Sequence, residues 1–223
     1  MNKDQPLELT VHALPRLDGS DVNLQRTRLG RWKMLLVLLI CAAPVVASYF
    51  AYYVVRPQTR SVFGTLVEPQ RPLPDLVGVA PDGAKSNLRA LKGQWLLITV
   101  SGGACDAMCQ QYLYMQRQLR ESLGKDKDRV DRVWLVNDDS AIDPALLPAL
   151  NGAVVLRVPP AELANWLAPQ QGHGLAEHLY LVDPIGNWMM RFPAALDLKG
   201  AAKAKRDVER VLRASASWDE AGR

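Results

Sequence analysis

The sequence has the length and composition of one globular domain with additional segments. It contains 223 residues, of which 48% are hydrophobic and 22% are charged, and these fractions exclude a wholly disordered chain and a transporter with many membrane spans. The chain has 27 lysine and arginine residues against 23 aspartate and glutamate residues, and it has no long basic run. Nothing therefore points to nucleic-acid binding. The 3 cysteines are too few for a disulfide-stabilised fold, and we expect any important cysteine to have a chemical role.

One apolar segment, residues 34–55, is predicted to be a transmembrane helix. It contains no charged side chain, and about 20 apolar residues are enough to cross the hydrocarbon core of a bilayer. A cleaved signal peptide is the alternative, but the apolar part of such a peptide is usually only about 7–15 residues long. We therefore expect the segment to be retained as a single span, in which Cys41 is a small apolar side chain.

The charges on either side of the span predict its orientation. Four basic side chains lie just before it: Arg26, Arg28, Arg31 and Lys33. Arg56 and Arg60 follow it at a wider spacing, and the denser group of basic residues is expected on the cytoplasmic side. The sequence thus predicts an inner-membrane protein with its N-terminus in the cytoplasm and its C-terminal domain in the periplasm.

Composition and periodicity divide the chain into five segments. We interpret them as a cytoplasmic tail without regular structure (1–33), the transmembrane helix (34–55), a proline-rich extended linker (56–74), a folded domain (75–215) and a short tail (216–223). The folded domain contains predicted strands at 95–101, 133–136, 153–158, 179–182 and 188–192, and predicted helices at 105–123, 160–167 and 199–214. This alternation predicts an α/β fold, with helices flanking a mixed central sheet.

Cys105 and Cys109 are the candidate chemical residues of this domain. They follow a buried strand through the turn Gly102-Gly103 and lie at the predicted start of a helix, where the helix dipole and free N–H groups favour the thiolate form. In a regular helix, residues four apart have Cβ atoms about 5–6 Å apart, whereas a disulfide needs ~3.8 Å. A disulfide is therefore expected to need a distorted first turn, and Cu(I) held by two thiolates tolerates the wider gap. Packing as two small hydrophobic side chains is the remaining interpretation.

Two motifs of this domain are similar to motifs of the Sco proteins. The first is the string LKGQW at 91–95, followed by a buried strand, a short turn and Cys-x3-Cys at the start of a helix. The second is YLVDPIG at 180–186, which is similar to the Tyr-Leu-Ile-Asp-Pro-x-Gly hairpin of that family. The resemblance covers residues 73–214. It implies a thioredoxin-like fold behind a membrane anchor, a function in cytochrome c oxidase assembly, and a copper-protein client such as an oxidase subunit.

The sequence departs from the Sco pattern at positions that bear on copper. Sco proteins typically have proline after each cysteine, whereas Asp106 and Gln110 stand here. Leu175 occupies the position of the family's metal-binding histidine, and His173 and His178 lie on either side of it. These differences weaken the case for copper transfer and leave the choice of a histidine ligand open.

We predict Cys105, Cys109 and His173 as the ligands of Cu(I). The glycines on both sides of His173 free its backbone to adopt conformations that bulkier neighbours would forbid. His178 is the alternative ligand, on the strand face that it shares with Tyr180.

Three functions are compatible with these residues. The first is a Sco-like factor that delivers Cu(I), or keeps the copper-site cysteines of its client reduced, with Cys105 and Cys109 as thiol redox residues. The second is a general extracytoplasmic thiol-disulfide oxidoreductase, although thioredoxin-like reductases prefer Cys-x2-Cys. The third is a catalytically silent interaction module of the same fold. We favour the first, in which the protein is an assembly factor or metallochaperone, and its enzymatic activity is left open.

Overall fold

The computed structural model describes residues 22–55 and 62–215 of the chain. The chain divides into two units, of which the first ends at Arg60 and the second begins at Ser61. Residues 56–61 and the predicted tail at 216–223 lie outside the described residues.

The described part of the first unit is one long helix. α1 runs Val22–Phe50 and continues as a short π-helix, Ala51–Val55. Within this stretch, Arg28–Tyr53 is long and apolar enough to cross a membrane, and among the described residues it alone meets that test. α1 begins earlier than predicted because the residues before the apolar segment include leucine, glutamine and arginine, which are good helix formers. Residues 22–33 are therefore helical rather than unstructured, and the rest of the predicted tail lies outside the described residues.

Within the described residues of the second unit, eight strands form one sheet. They are β1 (Thr65–Pro72), β2 (Val77–Val79), β3 (Lys85–Asn87), β4 (Trp95–Ser101), β5 (Val130–Val136), β6 (Ala153–Arg157), β7 (Leu179–Val182) and β8 (Asn187–Arg191). Their order across the sheet is β1-β8-β7-β4-β5-β6-β2-β3. β4, β5 and β6 run parallel, and the other neighbouring pairs are antiparallel. The predicted mixed sheet is confirmed.

Helices cover both faces of this sheet. They are α2 (Ala107–Ser122), α3 (Pro160–Trp166) and α4 (Leu198–Ala214), with 3-10 helices at Leu88–Leu91, Gly124–Arg129, Pro144–Leu146 and Leu175–Glu177. Successive side chains of β4 point to opposite layers: Leu97 packs with side chains of α2 and α4, and Ile98 packs with side chains of α3. Every residue of β4 is buried. The core therefore holds the end of β4 in place, and the turn that carries Cys105 follows directly from it.

The proline-rich segment predicted as a linker contributes a strand instead. β1 pairs antiparallel with β8, with Leu66 opposite Met190 and Arg71 opposite Trp188. The prediction of an extended spacer over 56–74 is wrong for this part. Proline is tolerated in β1 because this strand lies at the edge of the sheet, where the outward-facing N–H groups need no partner strand.

Most of the other predicted elements lie where the pattern placed them. β4 and β7 have the predicted bounds, and β7 and β8 form the predicted hairpin. β5 begins earlier than predicted, at Val130, because Asp131 and Arg132 interrupt the apolar run although both belong to the strand. β2 and β3 were not predicted, since strands of 3 residues are too short to show a period.

Candidate active site

A disulfide bond joins Cys105 and Cys109, whose Cα atoms lie 5.0 Å apart. The helix begins only at Ala107, with Asp106 as its N-cap residue. Cys105 therefore lies before the helix, where its φ of 45° places it in the left-handed region. The predicted start of the helix at Cys105 is wrong, and the disulfide forms because this cysteine departs from the regular helix that the spacing argument assumed.

The turn before Cys105 is fixed by close contact with the loop that follows β5. The Gly103 N–H donates to Asp138 Oδ1 at 2.8 Å, and this hydrogen bond holds the pKa of the Asp138 carboxyl below its usual value. A Cβ atom on Gly103 would overlap the carbonyl oxygen of Ser140, and one on Gly102 would overlap the Asp138 carboxylate. The Gly102-Gly103 pair is thus explained by the closeness of this loop.

Arg157, the last residue of β6, holds the same loop from a second strand. Its guanidinium donates to the carbonyl oxygen of Asp138 and, at 2.9 Å, to that of Ser140. It also lies 3.9 Å from Asp138 Oδ1. No sequence pattern points to Arg157, whereas the acidic turn after β5 was a signal that could have drawn attention to Asp138.

Apolar side chains cover the disulfide. Each of its cysteines is only 4% exposed. The side chains packed with them come from α2, β5, β6 and the connection between the last two: Leu113, Trp134, Val136, Ile142, Leu146, Leu150 and Val155. The disulfide therefore has little contact with solvent.

Cys109 receives polar contacts at its sulfur and at its backbone. Ser101 Oγ donates to Cys109 Sγ at 3.0 Å, and Trp134 Nε1 donates to Ser101 Oγ at 2.7 Å. Asp106 Oδ1 accepts from the Cys109 N–H at 2.9 Å and so caps the helix. The two sulfurs therefore differ in environment: Cys109 lies in the helix against a hydroxyl donor, and Cys105 lies in the preceding turn.

His178 is completely buried and uses both ring nitrogens within the fold. Nε2 accepts from the Gln170 N–H at 3.1 Å, which makes Nδ1 the donor to the Phe192 carbonyl oxygen at 2.9 Å. Burial lowers the pKa of His178 below its usual value, so the neutral ring is favoured. His178 is a poor candidate for a metal ligand because both nitrogens are already hydrogen bonded.

His173 pairs with Glu177, the last residue of the 3-10 helix that follows it. Its Nδ1 lies 2.7 Å from Glu177 Oε2. Glu177 also accepts the Gly174 N–H, and this hydrogen bond lowers the pKa of the carboxyl. Leu175, at the position of the Sco histidine, packs half-buried against the core.

The predicted ligands Cys105, Cys109 and His173 do not form a ready metal site. Among the residues that the structure describes, no group of three or more His, Cys, Asp or Glu side chains is arranged to hold a metal ion. The two cysteines alone are suitable donors once they are reduced, because Cu(I) prefers soft thiolate ligands. The structure therefore brings two of the three predicted residues together.

The family match agrees with the fold described above. Residues 95–215 match the model of the "transmembrane-like, thioredoxin-like, C-terminal domain". No curated protein sequence matches the chain significantly.

Several solved structures are similar to the chain. Apo Sco1 of Thermus thermophilus is 18% identical with a TM-score of 0.50, over 70% of this chain and 98% of that chain. Copper-bound ScoI of Arabidopsis thaliana is 14% identical with a TM-score of 0.49, over 69% and 99% of the two chains. The thioredoxin domain of a Bacteroides vulgatus thiol-disulfide oxidoreductase is 15% identical with a TM-score of 0.47, over 63% and 94%.

At such identities the likeness to solved structures concerns the fold. The predicted thioredoxin-like fold is confirmed by the family match, and the Thermus thermophilus structure shows the predicted likeness to the Sco proteins at the level of the fold. Since the family match spans more than half of the sequence, the chain belongs to the transmembrane-like, thioredoxin-like C-terminal domain family.

Proposed function

We propose that the protein is a membrane-anchored thiol-disulfide exchange factor that acts on cysteines of a copper protein outside the cytoplasm. One observation carries this proposal: the Cys105–Cys109 disulfide stands at the start of α2 on a thioredoxin-like fold. A thiol at a helix N-terminus readily forms the nucleophilic thiolate, because the dipole and the N–H groups of the first turn favour negative charge. The reduced pair would pass two electrons to a client disulfide and become the disulfide described above.

The class of client follows from the resemblance to the Sco proteins. We propose a copper-site subunit of cytochrome c oxidase, or another copper protein with paired cysteines. Such cysteines bind a metal only as thiolates. A membrane-anchored dithiol that reduces them would therefore prepare the site for its metal.

Delivery of Cu(I) by the same cysteines is a second candidate function. Reduced Cys105 and Cys109 offer two soft sulfur ligands. His173 is the proposed third ligand, and because Glu177 holds Nδ1, the metal would bind through Nε2. We place this function second because the prolines and the histidine of the Sco pattern are absent from this sequence.

A structural disulfide in a catalytically silent interaction module is the third candidate. The 4% exposure of both cysteines favours it, since a buried disulfide is hard for a client to reach.

The membrane orientation is part of the proposal. The group of basic residues before the span supports a cytoplasmic N-terminus, with the thioredoxin-like domain on the periplasmic side of the inner membrane. A reporter enzyme that works only outside the cytoplasm should show activity when it is fused after Arg223. Activity of a cytoplasmic reporter in the same place would contradict this orientation and the proposed client.

Thiol exchange of the full-length protein in detergent tests the main proposal. In a Cys41→Ser background, the protein is equilibrated with glutathione redox buffers, and free thiols are counted by alkylation and mass spectrometry. We expect reversible reduction of the folded protein, and no exchange when Cys105→Ser and Cys109→Ser are combined. A disulfide that opens only on unfolding would contradict the proposal and favour the silent module.

Titration of the reduced protein with Cu(I) separates the second candidate. The proposal predicts about one Cu(I) per chain, held by the two thiolates, and loss of binding when both are changed to serine. His173→Ala should weaken binding, whereas the matched change His178→Ala should not. Equal binding by the wild type and the double serine variant would exclude copper delivery and leave thiol exchange in place.

A further inference from the structure

We infer that Ser101 is a catalytic residue of the Cys105–Cys109 pair and that Trp134 is the residue that positions it. The Ser101 hydroxyl donates a hydrogen bond to the Cys109 thiolate and thereby sets the reduction potential of the pair. This inference rests on the proposed thiol exchange, and it names a group that touches one of the reacting sulfur atoms.

The direction of the hydrogen bonds follows from the donors that are present. Trp134 Nε1 lies 2.7 Å from Ser101 Oγ, and an indole N–H can only donate. The Ser101 oxygen therefore accepts this bond, and its single proton is available for Cys109 Sγ, which lies at 3.0 Å. The indole fixes the hydroxyl in the orientation that serves the sulfur.

The surroundings of these groups strengthen the effect. Ser101 is 6% exposed and Trp134 is completely buried, so water does not compete for either hydrogen bond. Ser101 is the last residue of β4, and burial of the whole strand fixes its backbone. A hydroxyl held in this way needs little reorganisation when charge develops on the sulfur.

The hydrogen bond acts differently on the two redox states. A disulfide sulfur is a weak acceptor, whereas a thiolate accepts a charge-assisted hydrogen bond, which is roughly twice as strong as a neutral one. The Ser101 hydroxyl therefore stabilises the reduced pair more than the oxidised pair. The expected consequence is a less negative reduction potential than the same disulfide would have without the hydroxyl.

The exchange that this contact serves takes two steps. In the first step, the Cys105 thiolate attacks a client disulfide, whose S–S bond breaks and releases one client thiolate. In the second step, the Cys109 thiolate attacks Cys105 Sγ, and the second client thiolate leaves with the electron pair of the mixed disulfide. The client has gained two electrons and the protein is left with its disulfide. Ser101 keeps its proton throughout and donates to Cys109 while that sulfur is charged.

The reduction potential of the full-length protein in detergent is the decisive measurement. In the Cys41→Ser background, Ser101→Ala should shift the equilibrium with glutathione about tenfold toward the disulfide, which is about 30 mV for a two-electron couple. Ser101→Thr keeps the hydroxyl and should remain close to the parent value. Trp134→Phe removes the indole N–H and no other polar group. It should shift the reduction potential in the same direction as Ser101→Ala, but by a smaller amount.

Thr99→Val is the matched control. Thr99 is buried two residues earlier on the same face of β4, and its hydroxyl donates to the Val133 carbonyl oxygen at 3.4 Å. Loss of this hydroxyl should lower the stability of the protein without changing its reduction potential.

A second readout reports directly on the hydrogen-bonded groups. The NMR resonance of the Trp134 indole N–H should move on reduction in the parent protein, and should move less in Ser101→Ala.

The outcomes separate this inference from the proposed function. A folded Ser101→Ala protein with the parent potential, or an equal shift in Thr99→Val, would overturn the role of Ser101 while thiol exchange stands. If Ser101→Ala does not fold, the reduction potential of Trp134→Phe takes its place: an unchanged potential in that variant would overturn the role of Ser101. A parent disulfide that cannot be reduced in the folded protein would overturn both.

Discussion

Asp106→Ala should weaken the fold and at the same time make the Cys105–Cys109 disulfide easier to reduce. Asp106 is the N-cap of α2, and its Oδ1 accepts from the Cys109 N–H at 2.9 Å. Loss of such a cap typically costs about 1 kcal/mol of unfolding free energy. In a domain of this size, that change lowers the melting temperature by about 2–4 °C.

The effect on reduction has an electrostatic cause. The Asp106 carboxylate stands next to Cys105 in sequence and beside the first turn of α2, so it repels the negative charge of the reduced pair. Like charges one helical turn apart disfavour each other by about 0.2–0.5 kcal/mol, which is about 4–11 mV for a two-electron couple. Asp106→Ala should therefore make the potential less negative by this amount. Asp106→Asn should do the same while keeping the cap, because asparagine also caps helices well.

Asn87→Ala is a control for the loss of a cap elsewhere. The Asn87 side chain accepts the Arg89 N–H at 2.8 Å at the start of a 3-10 helix, and the residue ends β3, the outermost strand on the far side of the sheet from β4. Thermal unfolding by circular dichroism and equilibration with glutathione measure the two effects on the full-length protein. An unchanged potential in both Asp106 variants would refute the electrostatic reasoning, and an unchanged melting temperature in Asp106→Ala would refute the role of the cap.

Three further predictions concern the fold around the site. Gly103→Ala should destabilise the protein by about 1–3 kcal/mol, the usual cost of overpacking, because its Cβ atom would overlap a backbone carbonyl oxygen. The free energy of unfolding of both variants is measured in urea. Gly174→Ala, whose Cβ atom would meet a flexible carboxylate at 3.6 Å, should lower it much less than Gly103→Ala. Equal losses in the two variants would contradict the packing argument. The free energy of unfolding should fall as pH drops below about 6.5, because the unfolded chain then binds a proton that the buried His178, with its lowered pKa, does not. His178→Gln should flatten this dependence, and an unchanged slope would show that other groups cause it. A fragment of residues 62–215 should give a cooperative melting transition. The shorter fragment 73–215 should not, because it lacks β1, the strand that pairs with β8. Equal transitions in the two fragments would show that β1 is dispensable.

Local sequence patterns were sufficient to predict those elements whose structure depends on burial alone. β4 was predicted with its observed bounds because every residue is apolar or small and all of them are buried. The hairpin of β7 and β8 was predicted because turn residues separate two apolar runs. The membrane-length helix was predicted because a charge-free apolar run needs no tertiary partner to be recognised.

The chemistry of the site depended on contacts between residues distant in sequence. The disulfide forms because Cys105 lies outside the helix, in a turn that is held by the Gly103–Asp138 hydrogen bond. Periodicity could not reveal this, since it assigns both cysteines to one regular helix.

The histidines and β1 show the same limit. The sequence placed His178 near the site, but its hydrogen bonds to Gln170 and Phe192 remove it from the set of candidate ligands. β1 became a strand only because β8, more than a hundred residues later, supplies its partner. The sequence by itself determined where the longest buried strand lies and which segment is apolar enough to span a membrane, because those properties follow from composition and local period. Tertiary structure decided which groups meet, because each of these hydrogen bonds and strand pairs needs a partner whose position is set by the whole fold.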